Sequence, residues 1–397
     1  MASAAVNFYS RQFLLGHVRS ILDFYTPAAF DPTGGLYQNY KDDGSIFAPE
    51  RRHLVSSCRM VFNFCKAYEL FGDEVYRAFA AHGFRYLHDR HWDPGRSGYH
   101  WTLKEGHHPG DQTNHCYGLA FVMLCCAAAS ELGLERADQS LDQVFELMEQ
   151  HFWDSAAGVY ADEATPDWSR VSAYRGQNAN MHSCESLLAA FEATGKVHFL
   201  DRALTVARTV TVDLASSSDG LIWEHFTPEL KIDWDYNRDD PKNLYRPWGF
   251  QPGHQVEWSK LLMTLYDHRS EDWMPRRAQE LFDRALAICW DPTHGGIFYG
   301  FGPDGRICDA DKYFWVHAEA IAAAARLYQH TESPQYLDWY NRLWQYAWEH
   351  FVDHQHGAWY RVLRENNQKY SDEKSAAGAK CDYHTIGACW DVLRHLP

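Results

Sequence analysis

The sequence predicts an all-α fold, namely an (α/α)6 barrel of six helical hairpins joined by short β-hairpin loops. A turn motif recurs six times along the chain, and two apolar stretches with helical spacing separate each motif from the next. Neither end of the chain carries an atypical polar repeat, which an open solenoid of stacked hairpins would need as a cap. A closed ring of inner and outer helices buries every apolar face without such caps.

Each copy of the turn motif consists of an Asp, a few small or turn-forming residues, a Gly and then an aromatic residue. Successive copies are separated by 62, 61, 65, 72 and 62 residues, which indicates one supersecondary unit used six times. Asp-Pro and Gly-Gly pairs favour turns, and the aromatic and β-branched residues after them favour a short hairpin strand. We therefore expect residues 1–397 to form a single catalytic domain. The motifs begin at Asp31, Asp93, Asp154, Asp219, Asp291 and Asp353.

The predicted helical hairpins are clearest in two places. Residues 55–71 and 73–90 form one pair of apolar stretches, and residues 315–329 and 334–350 form another. Apolar residues in these stretches recur at helical spacing, as expected when one helix face packs against a core. Each repeat is therefore predicted to contribute two antiparallel helices.

One long segment, residues 227–252, interrupts the regular spacing and accounts for the 72-residue step. It is rich in Asp, Asn, Pro and Trp. An insertion of this size in a compact domain is often a lid or a binding loop, and a tolerated surface insertion is the alternative.

The composition restricts the kinds of molecule that the protein is expected to bind. A formal charge of −16 disfavours nucleic acid and anionic membrane surfaces, because both reward clustered Lys and Arg. The longest apolar run, residues 119–129, is shorter than the roughly 20 residues that span a bilayer. None of the ten cysteines forms a CxxC pair, and residues 1–11 lack the pattern of a secretory signal, so we expect a cytoplasmic protein. A small neutral or polar ligand fits this composition best.

Polar and aromatic residues stand at the beginning of the predicted inner helices, before runs of small apolar residues. All inner helices of such a barrel point the same way, so their first turns converge around one mouth. Asn178 and His182 are four residues apart, and His254 and Glu257 are three apart, so each pair shares a helix face. The predicted site residues are Arg59, Asn114, Tyr117, Asn178, His182, Trp248, His254, Glu257, Trp315, Glu319 and His384.

A mouth of this composition suits a monosaccharide. Aromatic rings stack on the apolar faces of a sugar, while Asn, Glu, Arg and His side chains bind its hydroxyl groups. Imidazole has an unperturbed pKa of about 6.5, which suits it to proton transfer near neutral pH. We therefore expect acid/base chemistry on a sugar, with His254 and His384 as the catalytic pair.

Each of these residue types also has a structural interpretation. An isolated His on an apolar helix is usually a core residue. Glu257 and Glu319 would also favour the positive end of a helix dipole, and Trp248 and Trp315 would serve equally as packing residues. Two other functions are open at this point: a glycoside hydrolase that uses Glu257 and Glu319 as its carboxylate pair, and a sugar-binding module without catalysis.

Neither a metal nor an organic cofactor is predicted. The chain contains no HExxH motif, and His107 and His108 lie in a Gly-Pro turn that is typical of an exposed loop. Phosphate-loop and dinucleotide-binding patterns are missing, and the Gly-Gly pairs belong to the repeated turns.

Three segments carry a resemblance to a known family. Residues 252–262 read Pro-Gly-His-Gln-Val-Glu-Trp-Ser-Lys-Leu-Leu, residues 178–182 read Asn-Ala-Asn-Met-His, and residues 380–388 read Lys-Cys-Asp-Tyr-His-Thr-Ile-Gly-Ala. Together they resemble the N-acylglucosamine 2-epimerase superfamily over nearly the whole chain. The Gly-His-Gln-Val-Glu-Trp form is similar to its aldose–ketose isomerase branch. Where the family often has His before Ala-Phe, this chain has Leu119.

The resemblance implies an (α/α)6 barrel, catalytic roles for His254 and His384, and sugar or supporting contacts from Arg59, Asn178, His182, Glu257 and Glu319. It implies a cofactor-independent isomerase that interconverts D-mannose and D-fructose through a cis-enediol, with D-lyxose and D-xylulose as a second pair.

The sequence leaves several alternatives open. One is a 2-epimerase acting on N-acylglucosamine, cellobiose or glucose. Another is an isomerase of a sulfonated sugar, for which Arg59 and Lys380 would both have to face the mouth. The expected partner is a monosaccharide, and the chain is expected to be a monomer or a homodimer.

Overall fold

The computed structural model describes residues 6–396. Within this range the chain forms twelve α-helices, as the six predicted helical hairpins require. The predicted helical stretch 73–90 divides in two, because the helix ends at Tyr86 and a π-helical turn follows over Leu87–His91. The helices are α1 Arg11–Tyr25, α2 Leu54–Phe71, α3 Glu74–Tyr86, α4 Cys116–Glu131, α5 Ala137–His151, α6 Gln177–Thr194, α7 Val197–Arg208, α8 Pro252–His268, α9 Trp273–Cys289, α10 Phe314–Thr331, α11 Pro334–His350 and α12 Tyr383–His395.

The even-numbered helices form a closed inner ring, in which each helix contacts the next and α12 contacts α2. The odd-numbered helices pack against the outside of this ring. Inner helices are buried on nearly all sides, as in α4, where thirteen of sixteen residues are buried. Outer helices bury one face only, which is the pattern of an amphipathic helix. The structure thus confirms the predicted (α/α)6 barrel.

Short antiparallel strands join the repeats at the end of the ring where the inner helices begin. Two of the turn motifs form the expected hairpin, β3 with β4 and β7 with β8, while other pairs connect neighbouring repeats. β1 pairs with β16, which joins the first repeat to the last. The strands are β1 Tyr40–Lys41, β2 Arg52–His53, β3 Trp92–Asp93, β4 Gly98–Tyr99, β5 Thr102–Leu103, β6 Asn114–His115, β7 Trp153–Asp154, β8 Val159–Tyr160, β9 Glu163–Ala164, β10 Arg175–Gly176, β11 His225–Phe226, β12 Gly300–Phe301, β13 Ile307–Asp309, β14 Lys312–Tyr313, β15 Val362–Leu363 and β16 Glu373–Ser375.

Buried ion pairs anchor three of the turn motifs. In each case the first Asp of the motif pairs with a cation 21 residues later. The Lys374 ammonium, for example, lies 2.6 Å from Asp353 Oδ2 and also donates to the main-chain oxygens of Asp42 and Gly357. Such pairs hold the loops that frame the mouth of the barrel. The pairs are Asp31–Arg52, Asp291–Lys312 and Asp353–Lys374.

The long segment between β11 and α8 contains no helix and lies across the mouth of the inner ring. Two contacts fasten it. Lys242 Nζ lies 3.0 Å from Asp309 and 2.6 Å from Asp311, and Arg246 forms an ion pair with Glu163. Of the two interpretations of this segment, its position favours the binding loop. Among the helices of residues 6–396, none combines the length and the hydropathy that crossing a bilayer would require.

Candidate active site

A cavity of about 610 Å³ opens at the end of the barrel where the inner helices begin. Its wall comes from the first turns of these helices and from the long segment before α8. The first turns therefore converge as predicted, because parallel inner helices present their amino-terminal ends to the same side. The predicted residues that line the cavity are Arg59, Tyr117, Asn178, His182, His254, Glu257, Trp315 and His384.

The two predicted catalytic histidines share one wall of the cavity. The ring centre of Trp315 lies 5.2 Å from that of His254 and 5.6 Å from that of His384. Gly253 permits this arrangement, since a Cβ at that position would overlap the Trp315 indole. The imidazoles are thus brought to one indole although they belong to α8 and α12.

His254 is oriented by a carboxylate outside the predicted set. Its Nδ1 lies 2.9 Å from Glu224 Oε2. Gln177 Nε2 lies 2.8 Å from both atoms, and the Trp258 indole N–H donates to Gln177 Oε1, which turns the amide nitrogen toward Glu224. A lone pair on Nδ1 would face the carboxylate, so Nδ1 carries the proton and donates it to Glu224. Nε2 is consequently the nitrogen with the free lone pair.

His384 has the same arrangement with a different carboxylate. Its Nδ1 lies 2.7 Å from Glu319 Oε1, and Lys260 Nζ lies 2.5 Å from Glu319 Oε2. Burial lowers the pKa of His384 well below its usual value, and the nearby Arg59 charge adds to this effect. His384 is therefore neutral near pH 7, with Nε2 able to accept a proton.

A third imidazole, His182, lies beside His384, with 6.5 Å between the ring centres. Its Nδ1 is 2.9 Å from Glu185 Oε2, and the Tyr383 hydroxyl donates to Glu185 Oε1. Burial lowers the pKa of His182, although the bond to Glu185 opposes this. Burial would raise the pKa of Glu185, but the bond from His182 and the charge of Lys260 outweigh it and lower this pKa to about 2.

Among residues 6–396, Glu257 is the one carboxylate of the cavity wall whose two oxygens are buried and have no hydrogen-bond partner. Burial raises its pKa well above the usual value, and the charge of Glu319 raises it further. Burial therefore favours the protonated, neutral form of Glu257. Its hydroxyl is available to donate a hydrogen bond to a ligand in the cavity.

Arg59 places a permanent positive charge in the same wall. Its Nη2 donates to the Tyr117 hydroxyl over 3.0 Å, and its guanidinium carbon lies 4.3 Å from the ring centre of Phe121. The buried Nε has no hydrogen-bond partner within the described part of the chain, residues 6–396. An oxygen of a bound ligand would satisfy this donor, whose burial without a partner is otherwise unfavourable.

Three of the predicted site residues do not line the cavity. Asn114 precedes α4 and bonds the main-chain oxygen of Thr165, and Trp248 donates to the main-chain oxygen of Trp234. Glu319 lies behind His384 and reaches the cavity only through that imidazole.

The structure also corrects the expectation that Lys380 faces the mouth. Its ammonium is fully buried, pairs with Asp382 and lies 5.0 Å from the ring centre of Phe314. Asp382 neutralises this charge and also binds the hydroxyl groups of Tyr25 and Thr385. Lys380 therefore fixes the start of α12 and provides no charge for an anionic ligand.

Apart from Glu319, the residues that hold the histidines were not predicted from the sequence, although three of them had a usable signal. Glu185 follows His182 by three residues, and Lys260 follows Glu257 by three, so each lies on the helix face of a predicted site residue. Gln177 directly precedes Asn178. Glu224 carried no such signal, because it belongs to a loop.

Two groups of residues bring possible metal ligands together. The groups are His182, Glu185 and Glu257, and Glu257, Glu319 and His384, with ligand atoms within 4.8 Å of one another. The Lys260 ammonium bonds Glu319 and lies 3.9 Å from Glu185, so the chain itself supplies a cation to these carboxylates. We assign no metal to them.

Comparison with known proteins gives one family. Residues 35–388 match the family model of N-acylglucosamine 2-epimerase, also called GlcNAc 2-epimerase. A protein from Marinomonas mediterranea named D-mannose isomerase is 49% identical over 390 residues, which are 98% of this chain and 98% of the relative. The crystal structure of a D-mannose isomerase superposes with a TM-score of 0.97 at 49% identity, covering 98% of this chain and 100% of that chain.

A more distant structure shares the fold. The cellobiose 2-epimerase from Bacillus thermoamylovorans superposes with a TM-score of 0.85 at 18% identity, over 96% of this chain and 99% of that chain.

Proposed function

The chain belongs to the N-acylglucosamine 2-epimerase family, and on this premise we propose that it is a cofactor-independent isomerase of D-mannose and D-fructose. The observation that carries the proposal is the pair of imidazoles, His254 and His384, which line one cavity and are each bonded through Nδ1 to a carboxylate behind its wall. The relatives named D-mannose isomerase support the choice of sugar. D-Lyxose and D-xylulose are proposed as a second pair, and residues 1–397 as one catalytic domain.

The reaction moves one proton between adjacent carbons of the open-chain sugar. His384 Nε2 removes the proton from C2 of the aldose, and the electron pair of the C–H bond forms the C1–C2 double bond of a cis-enediol. His254 assists ring opening and moves the proton between O1 and O2. His384 then returns its proton to C1, which gives the ketose. The overall change is an isomerisation and needs no external oxidant or reductant.

The enediolate oxygens carry negative charge as the C2 proton leaves. The guanidinium of Arg59 and the protonated carboxyl of Glu257 are donors already placed in the wall, while His182, whose Nδ1 is bonded to Glu185, presents Nε2 as an acceptor for a sugar hydroxyl. Preorganised donors of this kind stabilise developing charge without having to reorganise. Asn178 and Trp315 contribute a hydrogen-bonding group and an apolar face for the sugar.

Two alternatives are less well supported. A glycosidase needs two carboxyl groups separated by roughly 5 to 10 Å across the bond that is cleaved. Glu257 and Glu319 instead have oxygens within 4.8 Å of each other, and Glu319 lies behind the cavity wall, bonded to His384 and Lys260. For a sulfonated substrate, one of the two side chains that would bind the sulfonate is not available, because Lys380 is paired with Asp382.

We also propose that the protein acts on a free monosaccharide in the cytoplasm. All ten cysteines are free thiols and nine of them are buried, as expected in a reducing compartment.

Incubation with D-mannose in deuterated water, followed by NMR, tests the function. We expect D-fructose as the product, with any exchanged deuterium at C1. Variants His254→Ala and His384→Ala should lose about a thousandfold in turnover, within the usual range of general acid/base contributions. His108→Ala, which changes an exposed imidazole, is the matched control. D-Glucose as the only product, or near-normal turnover of both catalytic variants, would overturn the proposal.

A further inference from the structure

The side chain of Lys260 lies beneath the cavity and joins the supports of two histidines. Its ammonium is 2.5 Å from Glu319, which binds His384, and 3.9 Å from Glu185, which binds His182. Only 13% of the Lys260 side-chain surface is exposed. That exposed part faces a second cavity of about 90 Å³ at the opposite end of the ring.

Acidic side chains surround the ammonium of Lys260. Three carboxyl groups, those of Glu185, Glu257 and Glu319, lie around it, and each of them raises its pKa although burial acts in the opposite direction. Among residues 6–396, no other Lys or Arg nitrogen lies within 4 Å of Glu319. The ionised state of Glu319 therefore depends on one ammonium group.

We propose that Lys260 is a positioning residue for the isomerisation: it keeps Glu319 ionised, so that Glu319 accepts the Nδ1 proton of His384 and leaves Nε2 free. This inference rests on the proposed function, in which Nε2 of His384 takes a proton from carbon. Lys260 lines the second cavity and does not line the sugar cavity, so it acts through Glu319 and His384.

Removal of the ammonium changes which of the two groups, Glu319 or His384, binds the proton between them. Burial raises the pKa of Glu319, and Lys260 is the largest influence that opposes this. Without Lys260 the carboxyl group binds a proton and donates it to Nδ1. The neutral imidazole then carries its own proton on Nε2, where it points at the substrate and cannot accept another. Wrong-tautomer histidines of this kind lose turnover while substrate binding is kept.

Other charged and titratable groups face the pair and remain in place when Lys260 is changed. None of them can replace the ammonium, because the acidic ones add negative charge and Arg59 is held by Tyr117 and the ring of Phe121. These groups are Arg59 on α2, Tyr117 on α4, His182 and Glu185 on α6, Glu257 on α8 and Tyr383 on α12.

The test compares two buried lysines of the inner ring. Lys66 on α2 also lines the second cavity, and its ammonium lies 2.7 Å from Glu131 and 3.1 Å from Glu69, neither of which binds a histidine. Lys66→Met therefore removes a similar ammonium without changing the contacts of Glu319 and His384. Lys260→Arg keeps the charge and serves as the conservative variant.

We expect Lys260→Met to lower kcat for D-mannose at pH 7 by about 10²-fold or more, with KM changed less than about threefold. The acid limb of its kcat–pH profile should move upward by about one pH unit or more, because a higher pH is needed to ionise Glu319. Lys66→Met and Lys260→Arg should keep kcat within about tenfold of the wild type and keep the shape of the profile.

A spectroscopic measurement keeps the inference testable without turnover. The 15N chemical shifts of His384 report which ring nitrogen carries the proton, and we expect the tautomer to change in Lys260→Gln and to stay unchanged in Lys66→Met. An unchanged tautomer, or equal losses of kcat in Lys260→Met and Lys66→Met with a profile of wild-type shape, would overturn the role of Lys260. A wild type that fails to isomerise mannose would contradict the proposed function instead.

Discussion

Nδ1 of His254 lies 2.9 Å from Oε2 of Glu224, a carboxylate that belongs to the loop before the long insertion. Glu224 is buried, and Gln177 donates to the same oxygen. The contact selects the tautomer of His254 and fixes its ring against Trp315. Glu224 therefore orients His254 in the same way that Glu319 orients His384.

Glu224→Ala should lower kcat for D-mannose by about 10²-fold with little change in KM, because Gln177 Nε2, which lies 2.8 Å from Nδ1, would then donate to Nδ1 and move the imidazole proton to Nε2. Steady-state kinetics measure both constants. Glu229→Gln changes an exposed residue nearby in the chain and should behave as the wild type. Equal kcat values for the two variants would show that Glu224 has no part in the reaction.

Glu257 should produce an alkaline limit on activity. Its raised pKa favours the neutral carboxyl, which becomes charged as the pH rises through that raised value. Glu257→Gln is neutral at every pH, so the alkaline limb of its kcat/KM profile should disappear. Glu257→Ala removes the donor and should raise KM. A profile for Glu257→Gln with the wild-type alkaline limb would assign that limb to another group.

Two core histidines should make stability depend on pH. Burial lowers the pKa of His17 to about 4 and that of His317 to about 3, and each ring accepts a hydrogen bond from an N–H group. Unfolded histidine binds protons below about pH 6.5, so the free energy of unfolding falls as the pH drops below that value. At pH 5 each histidine should account for about 2 kcal/mol of the loss.

Urea denaturation at pH 7.5 and pH 5 measures this effect. His17→Gln keeps an acceptor for the Trp359 indole and cannot be protonated, so it should show a smaller loss between the two pH values than the wild type. His330→Gln, at an exposed position, should show the wild-type loss. The same pH dependence in His17→Gln as in the wild type would disprove the assignment.

The buried ion pairs of the turn motifs should contribute far more to the free energy of unfolding than exposed ion pairs do. Asp353→Asn leaves the fully buried Lys374 without its counter-charge and should lower the free energy of unfolding by about 3 kcal/mol or more. Asp372→Asn breaks the solvent-screened pair with Lys41 and should leave the free energy of unfolding almost unchanged. Thermal and urea unfolding of both variants compare the two costs. Similar costs would mean that the Lys374 ammonium finds solvent or another partner.

The repeat of the turn motif was sufficient to predict the barrel. The spacing of the six Asp residues and the apolar periodicity between them are local patterns, and every repeat shows them. Each inner helix has the same position in its repeat, so all inner helices run in the same direction. This shared direction places His182, His254 and His384 at one mouth, where the structure has them.

Position within the first turn of an inner helix was a less exact guide to the cavity wall. Asn114 lies in β6, just before its helix, and is turned toward the neighbouring loop. Trp248 lies in the long insertion before α8, and its indole donates to the main-chain oxygen of Trp234 in that same segment. A side chain's direction in a loop depends on contacts with other repeats, which no local pattern reveals.

The helical repeat, the closed ring and the histidines at its mouth could all be predicted from local patterns, because periodic burial of apolar residues is a property of each short segment. The free nitrogen of each imidazole could be identified only from the folded chain. Which nitrogen is free depends on Glu224 for His254 and on Glu319 with Lys260 for His384, which come from other segments of the chain. Hydrogen bonds act over about 3 Å, so their partners become known only when the ring is closed.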